Sequence, residues 1–221
     1  MAVLRLDELN INSRRSLPFE VFFGEMELTE EQKRNRIRAA ELFDEMMLAL
    51  MYDIDMHREM GIPIDAAAMA DQLYQSYLEQ LTALSVVLDL YLIGYAQKFA
   101  ESVLETTEKY ANDPWFLSED RAVMIAENEA NAVYGHEEFE DAIREGYTTK
   151  IWVTMKDKRV RETHREVDEH EIPIDEPFAV GGSLLLYPKD ETYDPDPEET
   201  VNCRCSIRFG GQMASPLEET A

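Results

Sequence analysis

The chain has 221 residues, 25.5 kDa and 45% hydrophobic content, enough to build a core in one large domain or two small ones. Its 46 Asp and Glu against 21 Lys and Arg leave a formal charge of -25, which opposes docking on nucleic acid or an anionic membrane through bulk electrostatics. The longest apolar run, Leu84 to Gly94, is broken by Asp89 and falls far short of the ~20 residues that cross a bilayer. The N-terminal stretch carries charges where a signal peptide needs an unbroken apolar core, so a cytoplasmic chain without membrane contact is expected.

Residues 1–26 give mixed signals, with Pro18 and Gly24 as breakers. Thr29 and Gln32 have the spacing of a capping box, and Ile37, Ala40, Phe43, Met47, Leu50, Met51 and Ile54 then make a helical stripe that should end near Gly61 and Pro63. Met46, Met47, Met51, Met56 and Met60 read as core filler on that helix. Asp65 is the expected N-cap of the next helical pattern, which runs to about Tyr110 as one long helix or as two stacked ones with Gly94 as the place to bend. Asn112, Asp113 and Pro114 close it. Ser118 caps a helix from Glu119 to about Tyr134, and a short helix from Glu137 to Glu145 ends at Gly146.

Beyond residue 150 the apolar spacing changes from helical to alternating. The run Lys150-Ile-Trp-Val-Thr-Met reads as a strand, Arg159 to Glu166 as a helical turn or short strand, and Ser183 to Tyr187 as a strand among prolines and glycines. Asp190 to Thr200 reads as an acidic loop, Cys203 to Phe209 as a final strand, and the last dozen residues as a tail.

The chemistry-bearing residues are few. Gly181-Gly182 lacks the Lys-Ser/Thr or spaced glycines of a phosphate cradle and reads as a turn. His164, His170, Cys203 and Cys205 supply the four ligand types that structural zinc prefers. The competing account has His164 bonded to an acid such as Asp157 or Asp168, with Cys203 and Cys205 packed as thiols on one face of a strand. Asp157, Arg159, Arg161, His164, Arg165 and Asp168 form a dense polar cluster beside Trp152, and Arg161 and Arg204 are the natural bracing residues because a guanidinium forks to two partners.

Taken in order, several stretches between Arg121 and Arg208 resemble the Mu F-like minor head proteins, the head-morphogenesis family of tailed phages and prophages. Ile125-Ala-Glu-Asn-Glu-Ala-Asn131 is similar to the family's "I-A-R-T-E" helix, with Glu129 at its glutamate and Asn131 close behind. Gly146 and Lys150-Ile-Trp152 match the glycine and "K-x-W" that lead into the sheet, and Asp157 to His164, carrying Arg159 and Arg161, resembles "D-x-R-V-R-x-x-H". Phe178 resembles the phenylalanine after an acidic proline segment, and Asn202-Cys203-Arg204-Cys205 the closing "N-C-R-C". Glu127 and Asn128 depart from the helix motif, and Asp168-Glu169 stands where the family commonly has Asp-Gly.

The pattern of elements gives an α+β protein, and the first ~110 residues are read from that pattern alone: residues 1–28 as an arm and 29–117 as an elongated long-helix region. The resemblance implies that residues 118–211 are a small Mu F-like domain with a short antiparallel sheet and irregular loops, with 212–221 a tail. Trp152, Phe178 and Leu184 to Leu186 would form the core of the small domain. The implied function is structural and non-catalytic, a minor capsid protein that meets portal, capsid or scaffold proteins in the host cytoplasm and ends in the virion. Self-association through long helices is a further expectation. No cofactor is implied, zinc being the alternative raised by the histidines and cysteines. The rival reading is a small nuclease or transferase using His164, Arg161 and Glu129.

Overall fold

The computed structural model describes residues 19–212. The expected tail and the arm before Phe19 lie outside the described residues. In chain order the elements are α1 (Phe19–Gly24), α2 (Glu30–Glu59), α3 (Ala66–Ala83), α4 (Leu90–Lys109), a 3-10 turn (Pro114–Leu117), α5 (Glu119–Arg144), β1 (Tyr147–Val153), α6 (Glu162–Glu166), β2 (Glu171–Pro173), β3 (Phe178–Val180), β4 (Ser183–Leu185), α7 (Pro197–Thr200) and β5 (Ser206–Gln212). This is the expected α+β class, long helices first and a small antiparallel sheet after. Among the described residues no helix is long and apolar enough to cross a membrane.

The chain forms two compact units. Of the described residues, the first takes 19–22 and 34–130, and the second takes 23–33 with the chain from Asn131 onward. In the first, α3 and α4 pack on one another, and Tyr77 lies 4.9 Å from Phe43 and 5.0 Å from Phe99, ring centre to ring centre. Met46, Met47 and Met51 are buried, as a core stripe requires, whereas Met60 lies past the helix and is exposed. The break in the long pattern falls at residues 84–89 and not at Gly94, which stays inside α4. Ser85 turns into the left-handed region at φ 62°, Val86 N–H donates to the Leu81 carbonyl at 3.0 Å, and Asp89 caps α4 by accepting from Leu92 N–H at 2.8 Å. A capping carboxylate outweighs a glycine that is merely permissive. Arg121 ties the start of α5 to the end of α4, donating to Thr107 Oγ1 and the Phe116 carbonyl at 2.7 Å each and to Thr106 Oγ1 at 3.0 Å. Burial pulls its pKa down to about 10.

The two helices expected between Ser118 and Gly146 are one helix, α5. Gly135 does not break it. A Cβ there would meet the Pro188 carbonyl oxygen at 3.5 Å and the Tyr187 ring at 3.6 Å, so the glycine marks a close approach of backbone. Gly146, at φ 78°, does end it.

In the second unit the Thr29–Gln32 capping box forms as expected, Thr29 N–H donating to Gln32 Oε1 at 2.8 Å and Gln32 N–H to Thr29 Oγ1 at 3.2 Å. The sheet has the order β2-β1-β5, all antiparallel, with Trp152 opposite Ile207, and β3 and β4 make a separate hairpin. Trp152, Phe178, Val180, Leu185 and Tyr187 form the core with Phe139 of α5 and both cysteines. Leu184 departs from the expected core: strand alternation turns it outward, 44% exposed, while Leu185 is fully buried. Cys203 and Cys205 precede β5 and lie on irregular backbone, not on a strand.

Lys150 shares the buried face of β1 with Trp152. Its ammonium lies 4.9 Å from the centre of the Phe139 ring and 5.5 Å from that of Phe178, with no hydrogen-bond acceptor among the described residues. Burial depresses its pKa to about 8, against the opposing pull of Asp190, Asp175 and Glu176. The unfolded chain therefore holds this proton more tightly. The penalty is complete below pH ~8 and is relieved as pH rises toward the ordinary lysine value of ~10.5. Lys150→Met is expected to stabilise the fold by about 1–3 kcal/mol at neutral pH and to abolish the alkaline rise in stability. Urea unfolding at a series of pH values reads both.

Candidate functional site

The matched polar positions divide between the two units. In the first, Glu129 is buried on α5 and accepts from Tyr77 Oη at 2.8 Å and Tyr95 Oη at 3.3 Å. Two phenols thus hold the carboxylate of the helix motif inside a helical core.

In the second unit Asn131, Asp157, Arg161 and His164 gather around one segment, residues 201–205. Asn202 takes a left-handed conformation at φ 56°, which asparagine tolerates, and so turns the chain inward before Cys203. The side-chain amide of Asn131, on α5, donates to the carbonyls of Cys203 and Cys205 at 3.4 and 3.3 Å. Asp157 organises the facing loop. It accepts from the N–H groups of Arg159 and Val160 at 2.8 and 3.2 Å, and its two carboxylate oxygens chelate one Arg204 nitrogen at 2.9 and 2.8 Å. The Arg204 contact, with the Arg159 N–H, holds the Asp157 carboxyl below its usual range against a smaller opposing effect of burial. Arg161 donates to the Val201 carbonyl, Asp168 accepts from Thr154 N–H at 2.8 Å, and Arg159 reaches Glu25 at 3.0 Å.

His164, on α6, lies at the centre. Its Nε2 is 3.0 Å from Glu199 Oε2, and its Nδ1 is 3.3 Å from Cys205 Sγ and 3.6 Å from Cys203 Sγ. The expected acid partner was Asp157 or Asp168; the observed one is Glu199, delivered by α7 from inside the stretch read as a plain loop. The Asp196-Pro197 pair that starts α7, Asp196 accepting from Glu198 N–H at 2.9 Å, was the available signal. Gly181, φ +56°, is bound to the same site: a Cβ there would stand 1.9 Å from Glu199 Oε1, so the turn glycine vacates the space the carboxylate fills. His164, Cys203, Cys205 and Glu199 are all buried.

The electrostatics of the trio follow from its packing. A hydrogen bond from Cys205 leads in lowering the Cys203 thiol well below its ordinary value, against burial and with help from His164. Cys205 is raised by the same contact, by burial and by the charge on Cys203. Burial is the largest influence and opposes protonation of His164, but the hydrogen bond and charge of Cys203 together with Glu199 carry the ring above its ordinary value. His170 does not join the trio. It is exposed, and its backbone carbonyl serves Trp152 N–H at 3.3 Å. The cavity beside the trio holds only about 20 Å³ and is bordered by Met155, Arg161 and Asn202. The larger groove of this unit, about 690 Å³, lies between residues 26–33, the end of α5 and β5, and contains none of the candidate residues.

Asp157→Ala removes the acceptor of two backbone N–H groups and the closest carboxylate partner of Arg204, so a loss of about 1–3 kcal/mol is expected in chemical denaturation. Because the folded-state pKa of Asp157 is depressed, its ionic contribution is present above the ordinary aspartate range and fades as pH falls through the folded value. Asp157→Asn is expected to lose that share of the acid dependence, so the difference in stability between the variant and wild type narrows as pH falls.

Comparison with known proteins gives two matches and one absence. A stretch of 102 residues is 31% identical to an NAD(+)–arginine ADP-ribosyltransferase named EFV from Enterococcus faecalis (strain ATCC 700802 / V583), covering 44% of this chain and 20% of that protein. The chain thus spans about a fifth of that relative's length. No solved structure matches. The model of the phage Mu protein F like proteins matches residues 97–208, from within α4 through Asn131, Asp157, His164 and the paired cysteines to β5. With half of its length covered in this way, the chain belongs to the phage Mu protein F like family.

Proposed function

We propose that this protein is a structural, non-catalytic minor component of a phage or prophage head, engaged by portal, capsid or scaffold proteins during assembly in the host cytoplasm and carried into the virion. Membership of a head-morphogenesis family implies capsid-assembly partners in general. The observation that carries the finer reading is the use made of the matched side chains. Asn131, Asp157, Arg161 and Arg204 satisfy backbone or one another around residues 201–205, beside a cavity too small for a substrate.

A partner surface fits the turn that joins α3 to α4. Val87 is 64% exposed and Leu90 88%, with Leu88 and Ile93 exposed beside them. Four neighbouring apolar side chains in a chain of charge -25 form a patch whose burial in a partner is favourable by the hydrophobic effect. The acidic surface disfavours DNA as that partner.

The transferase named among the relatives motivates the second reading, an enzyme. Cys203, His164 and Glu199 stand in the order of a thiol, a base and its orienting carboxylate. Both cysteines are buried, however, which favours the structural account.

Co-sedimentation with proheads assembled with and without portal tests the proposal. The wild-type chain is expected to pellet with portal-containing proheads. Leu90→Glu is expected to lower that binding at least tenfold with an unchanged unfolding midpoint. A chain that pellets with neither particle, or a Leu90→Glu variant that binds as well as wild type, would overturn the respective claim.

A further inference from the structure

The sulfur-rich trio in the second unit is more than a packed pair of thiols. Glu199 is a carboxylate and accepts only, so the neutral His164 ring carries its proton on Nε2 and presents a lone pair at Nδ1. That lone pair faces Cys205 Sγ at 3.3 Å and Cys203 Sγ at 3.6 Å, and the three atoms lie within 4.8 Å of one another. A tetrahedral zinc ion with Zn–S of ~2.3 Å and Zn–N of ~2.0–2.1 Å separates nitrogen from sulfur by ~3.5 Å. The observed spacings bracket that edge.

The surroundings are those of a metal-bound imidazole and thiolates. Glu199 orients the ring, and Thr163 Oγ1 donates to the same Glu199 oxygen at 2.8 Å, which is the carboxylate–histidine support that metal sites use. Gly181 reserves the space for that carboxylate. The N–H of Cys205 donates to Cys203 Sγ at 3.4 Å. The indole N–H of Trp152 is buried with no acceptor among the described residues, and its ring stands 5.5 Å from that of His164, edge to face. The adjoining cavity of about 20 Å³ has room for one water.

We propose that His164 Nδ1, Cys203 Sγ and Cys205 Sγ are three ligands of a resident zinc ion, with water from the adjoining cavity in the fourth position. Binding releases the two protons that the trio holds above its fully deprotonated state. Two thiolates and a neutral imidazole then balance the dication, and the buried centre carries no net charge. The ion pins α6 to the segment before β5, two elements that no β-ladder joins. His170 takes no part, and the site stands whether or not the head-assembly role does.

The test uses the full chain purified without added metal. Elemental analysis is expected to find one zinc per chain, and cobalt(II) exchanged into the protein is expected to show sulfur-to-cobalt charge transfer and intense tetrahedral bands that saturate at one equivalent. Cys203→Ser and Cys205→Ser are expected to lose those bands, His170→Ala to keep them, and Glu199→Gln to keep them with about 10- to 100-fold weaker affinity. Folded wild-type protein that carries no zinc and shows no saturable cobalt band would overturn the proposal. So would a His170→Ala chain that loses the metal. Rapid alkylation of Cys203 in the native chain, unaffected by added zinc, would identify a reactive thiol–imidazole pair in its place.

Discussion

The small unit depends on satisfying buried backbone that no sheet can satisfy. The segment 201–205 has no ladder partner; Val201 and Asn202 face outward, yet Cys203 and Cys205 are buried in the core. Their carbonyls would each cost the desolvation of an unpaired polar group. One asparagine amide on α5 donates to both, and that pair of hydrogen bonds from Asn131 ties the long helix to the segment on which the rest is assembled. Asp157 and Arg204 hold the outer side of the same segment, and His164 with Glu199 hold its sulfurs.

This arrangement explains why so many polar positions accompany so small a sheet. Three strands of limited length cannot enclose a core, so loops close it, and loops need side-chain partners in place of ladders. Each matched position answers one such need: Asp157 caps a turn, Asp168 takes the Thr154 N–H, and Arg161 takes the Val201 carbonyl. Asn202 and Gly181 supply left-handed backbone where the chain must reverse. The helical unit uses a different means for its own motif residue, with two tyrosines closing around Glu129.

Not every buried polar group serves stability. Lys150 lies in the core under two aromatic rings with no acceptor among the described residues, and its charge works against folding at neutral pH. The cation–ring contacts offset only part of that cost. Arg121 is the contrasting case, a buried cation whose nitrogens find three acceptors where α4 and α5 meet within the helical unit.

Periodicity and punctuation alone determined a great deal: the α+β class, the capping box at Thr29 and Gln32, the N-caps at Asp65 and Ser118, and the end of a helix at Gly146. These are local effects, in which a residue satisfies a neighbour a few positions away. The ordered polar motifs also sufficed to place the chain in its family. Tertiary contacts decided the rest. Gly94 looked like a hinge but is overruled by the cap at Asp89, and Gly135 inside α5 marks a packing contact with Tyr187. The partner of His164 proved to be Glu199, 35 positions away, and His170 was left outside the cluster. Spacing along a chain records which groups can meet through a turn of helix or a strand; it holds no record of loops that fold back across a core, and there only the closed structure assigns the partners.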